Sequence, residues 1–200
     1  MLGMVDHEFG SPLLHPLLAG RSSPTGFDAV YEVSDGEVEA LLEAARWAPS
    51  AGNSQPWAFI VGRRGDAIHE RLVGHLAGSS AAWAPGASLL LANLAHRFVE
   101  GTDWEYSEFS IYDLGQAVAH MTLQAEALGL STRQFRAFSR EGLTTEFAVP
   151  EHWEVTTMMA VGRPAAGPLA LDSVPISPTT AKASPTRQRR ATSDILWPVA

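Results

Sequence analysis

Apolar positions along the chain alternate between a helical period and short continuous runs, and the changes of period mark the elements. Residues 1–33 carry Pro12, Pro16 and Pro24 and read as irregular. Ser34-Asp35-Gly36-Glu37 is a capping box, in which the Ser34 hydroxyl accepts from the helix start while Glu37 reaches back to the cap. Val38, Leu41, Leu42 and Ala45 then recur at helical spacing until Pro49 closes the element. Residues 57–61 read as a buried strand, 62–66 as a turn, and the next helix shows Ile68, Leu72 and Leu76 on one face. The apolar run 87–94 reads as a central strand, although its length alone also suits a helix. The clearest helix spans 112–128, where Leu114, Ala117, Val118, Met121, Ala125 and Leu128 form one stripe and Gly129 supplies the stop. A short helix over 140–147 leads through Val149-Pro150 to a strand over 153–161. Past Pro164 the chain turns to Pro, Ser, Thr and Ala, too poor in large apolar groups for a core of its own, so it reads as an extended arm. Strands alternating with helices predict a layered α/β or α+β sandwich, organised as an N-terminal extension (1–19), a core domain (20–163) and the arm (164–200).

Composition narrows the class. With 200 residues, 46% of them hydrophobic, one domain can bury roughly 70% of the surface its unfolded chain exposes. Cysteine is absent, which excludes disulfides and thiolate metal sites. The net charge of −8 argues against nucleic acid as a partner, since such surfaces need a basic excess. No run of about 18 apolar residues argues for a membrane span, and the start lacks the pattern of a secretory leader, so the expectation is a cytoplasmic protein. None of the seven histidines pairs with another at the i, i+4 spacing of a helical metal site, so no metal is expected. His69 and His120 read as surface or boundary residues. No Gly-x-Gly-x-x-Gly, Walker loop or Gly-x-Ser-x-Gly elbow occurs.

Three segments carry candidate chemistry. Pro49-Ser50-Ala51-Gly52-Asn53-Ser54-Gln55-Pro56 lies between a helix end and a strand start. Ser, Gly, Asn and Pro are turn residues, yet Asn53 and Gln55 also offer amide donors and acceptors suited to the polar edge of a heterocycle, beside a glycine that lets a ligand come close. The residues alone leave both readings open. Arg21-Ser22-Ser23-Pro24-Thr25-Gly26-Phe27-Asp28 is by itself an irregular stretch with one cation, and Arg187-Gln188-Arg189-Arg190 is a basic run that by general rule is solvated. Trp104, Tyr106 and Phe109 stand in an acidic stretch, and the usual rule makes two of the three packing residues.

The run from Glu43 through Arg46-Trp47-Ala48-Pro49-Ser50-Ala51-Gly52-Asn53-Ser54-Gln55-Pro56-Trp57 to Val61 resembles the helix-loop-strand signature of the nitroreductase family. The resemblance extends from about residue 20 to 195. It implies a central, mainly antiparallel sheet flanked by helices, with the C-terminal arm exchanged between the subunits of a homodimer. It also implies FMN, held at its phosphate by Arg21, Ser22 and Ser23 and by the basic pair Arg187 and Arg189. The loop Pro49, Ser50, Ala51, Asn53 and Gln55 would contact the flavin, typically from the opposite subunit. Many relatives carry a basic residue where this chain has Thr25. At 133–138 they carry a Pro-x-Glu-Gly segment whose backbone amide faces flavin N5, so Arg136 and Ala137 are the corresponding candidates, with Arg136 a possible replacement for the missing cation. Trp104, Tyr106 and Phe109 would roof the flavin and shape a substrate pocket.

The implied activity is ping-pong hydride transfer from NADH or NADPH through FMN N5 to a flat conjugated small molecule, such as a nitroaromatic or a quinone. No protein group need act as the catalytic acid or base, because the cofactor carries the reactivity. Two other readings share the features: a flavin oxidase or dehydrogenase of a small metabolite, and a flavin-binding protein without turnover.

Overall fold

A computed structural model describes residues 13–165 and 189–198. The chain forms helix α1 (Pro16–Gly20), α2 (Asp35–Arg46), strand β1 (Trp57–Arg63), α3 (Ala67–Val73), α4 (Gly78–Ala81), β2 (Leu89–His96), α5 (Ser110–Ala127), β3 (Ser131–Phe135), α6 (Arg140–Glu146) and β4 (Trp153–Gly162). Single 3₁₀ turns occur at Ala51–Asn53, Ala84–Gly86 and Thr192–Ile195. The four strands make one antiparallel sheet in the order β1-β2-β4-β3, so the fold is α+β with the mainly antiparallel sheet that the family resemblance implied.

Apolar residues on both faces put β2 in the centre: Leu89, Leu91 and Ala95 point to one core, and Leu90, Ala92 and Leu94 to the other. The first core is closed by α2 and α5 through Leu41, Ala45, Leu114, Ala117, Val118 and Met121, and the second by Leu72 of α3, Phe138 and Leu143 of α6. Between β2 and β4 the register steps from Asn93↔Thr157 to Leu94↔Val155, leaving Thr156 unmatched. That bulge reverses the alternation of β4, so Val155 and Met158 face the same core.

Local signals explain the helix ends. Ser34 and Glu37 form the reciprocal box at the start of α2, and Gly129, at φ +71°, takes the left-handed turn after α5. Several elements differ from the expectation. The N-terminal segment is not wholly irregular, because Pro16 sits at the start of α1, where a missing N–H costs nothing, and α1 packs on α5. β1 is longer than expected and only half-buried, since it is an edge strand. α3 stops at Val73, leaving Leu76 to bridge to Phe138, and Ile68 is exposed. The sequence reading contained neither β3 nor α4.

His69 is buried on α3 rather than at the surface, with its Nε2 unpartnered. Burial is the largest influence on it and lowers its pKa below the ordinary histidine value, outweighing the attraction of Asp66. The unfolded chain therefore takes up a proton that the folded chain refuses. Stability is fully present above about pH 6.5 and is lost as pH falls through that range. The unfolding free energy measured by urea denaturation should drop between pH 7.5 and 5.5, by up to about 1.4 kcal/mol per pH unit for this group. His69→Leu should flatten part of that slope, and an unchanged slope in the variant would show that His69 does not titrate on unfolding.

Candidate cofactor-binding site

The loop before β1 is held in an uncommon shape. Gly52, Asn53 and Gln55 lie at φ +59°, +55° and +48°, and asparagine tolerates that region far better than glutamine does. The strain, of order 1–3 kcal/mol for such a residue, needs support from the surroundings. Asp113, buried in the first turn of α5, accepts from the Ala51 amide at 3.0 Å and from Gln116 Nε2 at 3.3 Å. A carboxylate there is also favoured by the helix N-terminus. The Gln55 amide donates to Ser50 Oγ at 3.0 Å, and its side chain donates to Asn53 O and Oδ1, both at 3.3 Å. Asn53 and Gln55 are thereby presented to solvent on a braced backbone.

Trp104, Tyr106 and Phe109 do not include two core residues. Trp104 is 76% exposed, Phe109 is about half exposed and Tyr106 is also exposed, because all three stand on the connection between β2 and α5. Tyr106 does pack face to face on His96, with ring centroids 3.9 Å apart, and reaches toward Ser54 O at 3.5 Å. His96 stacks in turn on Trp153 at 4.8 Å, and burial lowers its pKa, with the nearby His152 adding to the effect. The aromatic connection and the loop are therefore tied together.

The second group of candidates lies along the outer edge of β3. Arg21 donates to Ser23 Oγ at 2.9 Å, and the Ser22 amide donates to Glu126 Oε1 at 3.3 Å. Arg133, on β3, donates to the Ser23 carbonyl at 2.8 Å and lies 5.0 Å over the Trp83 ring. Phe27 bridges to Pro164, and Asp28 N donates to Arg163 O, so the start of the arm runs beside this segment. Just past β3, Phe138 N donates to Arg136 O across a tight turn whose central carbonyl, Ala137 O, accepts from Ala77 N at 2.9 Å and from Ser80 Oγ. Among the described residues the Ala137 amide donates to no protein acceptor, while Arg136 is exposed over Phe138. Arg187 lies outside the described residues; Arg189 is exposed on 189–198.

One chain does not bring the two groups together. The loop sits beyond the start of β1, whereas Arg133 pairs with Ala160, which aligns with Leu90 and Gly62 near the other end of that strand. Three strand spacings of about 4.8 Å and five residues of about 3.3 Å separate Trp57 from Arg133 by roughly 22 Å, with helices on both faces between them. The groups occupy opposite corners of the sheet.

Sequence reasoning missed Asp113, Glu126 and Arg133. Asp113 had a signal, since a carboxylate one turn before Ala117 falls on the buried stripe of its helix. Arg133 had none. Among the described residues no three His, Asp or Glu side chains cluster as metal ligands, and no helix is long and apolar enough to cross a membrane.

The nitroreductase family model matches residues 18–93, which include both the Arg21 segment and the Asn53 loop. A Streptomyces coelicolor protein provisionally named as an NADH dehydrogenase/NAD(P)H nitroreductase is 28% identical over 163 residues, covering 72% of this chain and 79% of its own length. An Archaeoglobus fulgidus protein of the same provisional name is 29% identical over 141 residues, covering 66% of this chain and 75% of its own. A crystal structure described as an oxidoreductase containing FMN superposes with a TM-score of 0.80 at 24% identity, covering 97% of this chain and 96% of the other. A nitroreductase family protein from Clostridium difficile gives a TM-score of 0.67 at 22% identity, over 90% and 95%. Residues 18–93 are thus similar to the nitroreductase family, and the chain as a whole has the nitroreductase fold.

Proposed function

We propose that the protein is an FMN-dependent oxidoreductase that takes electrons from NADH or NADPH and delivers them to a flat conjugated acceptor, working as a homodimer. The observation that carries this reading is the donor set along β3: Arg21 and Arg133 meet at Ser23 with no carboxylate in salt-bridge contact among the described residues, and the Ala137 amide is left for a ligand. Guanidinium forks suit a phosphate, and an unpartnered amide suits the polar edge of a ring, so the residues present fit FMN. Bound FMN would supply the redox chemistry, accepting a hydride at N5 and passing it on.

The chain's own part is to hold and orient. Arg21, Ser22, Ser23, Arg187 and Arg189 are assigned to the phosphate, and Ala137 and Arg136 to the ring. The loop Pro49, Ser50, Ala51, Asn53 and Gln55 is assigned to a second copy's flavin, because it lies at the far corner of its own sheet. Trp104, Tyr106 and Phe109, exposed and partly tied to that loop, form the walls that select planar acceptors. Support for the donor comes from the relatives, whose names specify NADH or NAD(P)H.

The purified protein should be yellow, and heat release followed by chromatography should give FMN. Light scattering should return twice the chain mass. Under anaerobic conditions NADH or NADPH should bleach the flavin rapidly. A protein that is colourless and binds no added FMN ends this reading, and bleaching by a metabolite alone assigns it instead to the oxidases.

A further inference from the structure

We propose that Arg133 is a phosphate ligand of the cofactor, forming with Arg21 and Ser23 a two-arginine clamp that selects FMN over riboflavin; the inference rests on the flavin reading above. Arg133 comes from an edge strand 110 residues away in sequence, yet its NH1 donates to Ser23 O at 2.8 Å while Arg21 NH1 donates to Ser23 Oγ at 2.9 Å. Two guanidinium groups therefore meet at a single residue. Arg133 is half-buried, with burial lowering its pKa, and among the described residues no acid is in salt-bridge contact with it.

Glu126 Oε1 takes the Ser22 amide at 3.3 Å and the Ser131 hydroxyl at 3.5 Å, and it is not in salt-bridge contact with either arginine. The Trp83 ring, 5.0 Å under the Arg133 guanidinium, holds the side chain in place without cancelling its charge. One donor of Arg133 is used on Ser23, which leaves the remaining face of its planar fork for a second acceptor. A pair of guanidinium groups with no carboxylate partner among the described residues gains most from a ligand carrying two negative charges and several acceptor oxygens, which is the chemistry of a phosphate monoester dianion.

The test compares the wild type with Arg133→Met, which keeps the apolar stem over Trp83, and Arg133→Lys, which keeps the charge without the fork. Apoprotein of each is titrated with FMN, with riboflavin and with inorganic phosphate. FMN and phosphate affinity should fall ten- to a hundredfold in Arg133→Met and less in Arg133→Lys, while riboflavin affinity stays within threefold. Unchanged FMN and phosphate affinity overturns the assignment, and so does a parallel loss of riboflavin, which would put Arg133 at the ring or in the fold. If Arg133→Met does not fold, Arg133→Lys decides, since a phosphate ligand must still separate FMN from riboflavin. Failure of the flavin reading is distinguishable: no variant, nor the wild type, would then bind either flavin, and the phosphate titration alone would judge the clamp.

Discussion

With Arg21 and Arg189 both replaced by alanine, the protein should purify largely as apoprotein, and added FMN should bind about 10²- to 10⁴-fold more weakly than to the wild type. A phosphate taken from water recovers its solvation through charge-assisted hydrogen bonds, each contributing about 1.5–3 kcal/mol. Two such losses that act independently sum to about 3–6 kcal/mol, which is that range of affinity. Riboflavin, lacking the phosphate, should bind the double variant nearly as well as the wild type. The matched control is Arg71→Ala, because Arg71 is engaged by Glu146 on the outside of α3 and α6. Arg64 is unsuitable as a control, since its guanidinium donates to the carbonyls of Asp28, Tyr31 and Gly86 and ties three segments together. Full FMN affinity in the double variant would confine the basic tail to solvent and move the phosphate site elsewhere.

Gly62→Val should lower the unfolding free energy by about 3 kcal/mol or more, because β1 and α3 meet at that position with no room for a side chain. A Cβ on Gly62 would stand 2.6 Å from both the Cα and the N of His69, so a helix backbone would have to move. For a chain of this size the melting temperature should fall by roughly 6–12 °C. Gly36→Ala, in the first turn of α2 with nothing within 4 Å of the new Cβ, should leave stability unchanged or raise it by about 0.5–1 kcal/mol. Equal melting temperatures for the two variants would mean that α3 can slide without cost, contrary to the packing of Leu72 in the core.

The helices whose ends carry chemistry of their own were legible in the sequence. Ser34 and Glu37 announce α2, and Gly129 announces the end of α5, because capping is a property of neighbouring residues. β2 was legible because a strand buried on both faces needs an unbroken apolar run. β3 was not: Ser-Thr-Arg-Gln-Phe is short and polar, and it becomes a strand only because β4 offers its edge. α1 was hidden by a proline that interrupts a helix from within but begins one well. His69 shows the same limit, since its burial depends on Gly62 letting α3 approach β1. At the candidate site the Asn53 loop and the Arg21 segment stood out through family-like motifs. Arg133 could not, because what marks it is a carbonyl 110 residues earlier and the lack of an acidic partner among the described residues, both consequences of folding.

The placement of the Arg21 segment and the Asn53 loop at opposite corners of one sheet has a genetic consequence. If each flavin is gripped by the phosphate corner of one subunit and the loop corner of the other, the two corners segregate independently in a mixed dimer. A chain damaged at Arg21 and a chain damaged at Asn53, each inactive alone, should together form heterodimers in which both lesions fall on the same site and the other site is wholly wild type. Co-expression of the two alleles should therefore restore activity that neither allele has, whereas two lesions at the same corner should never complement.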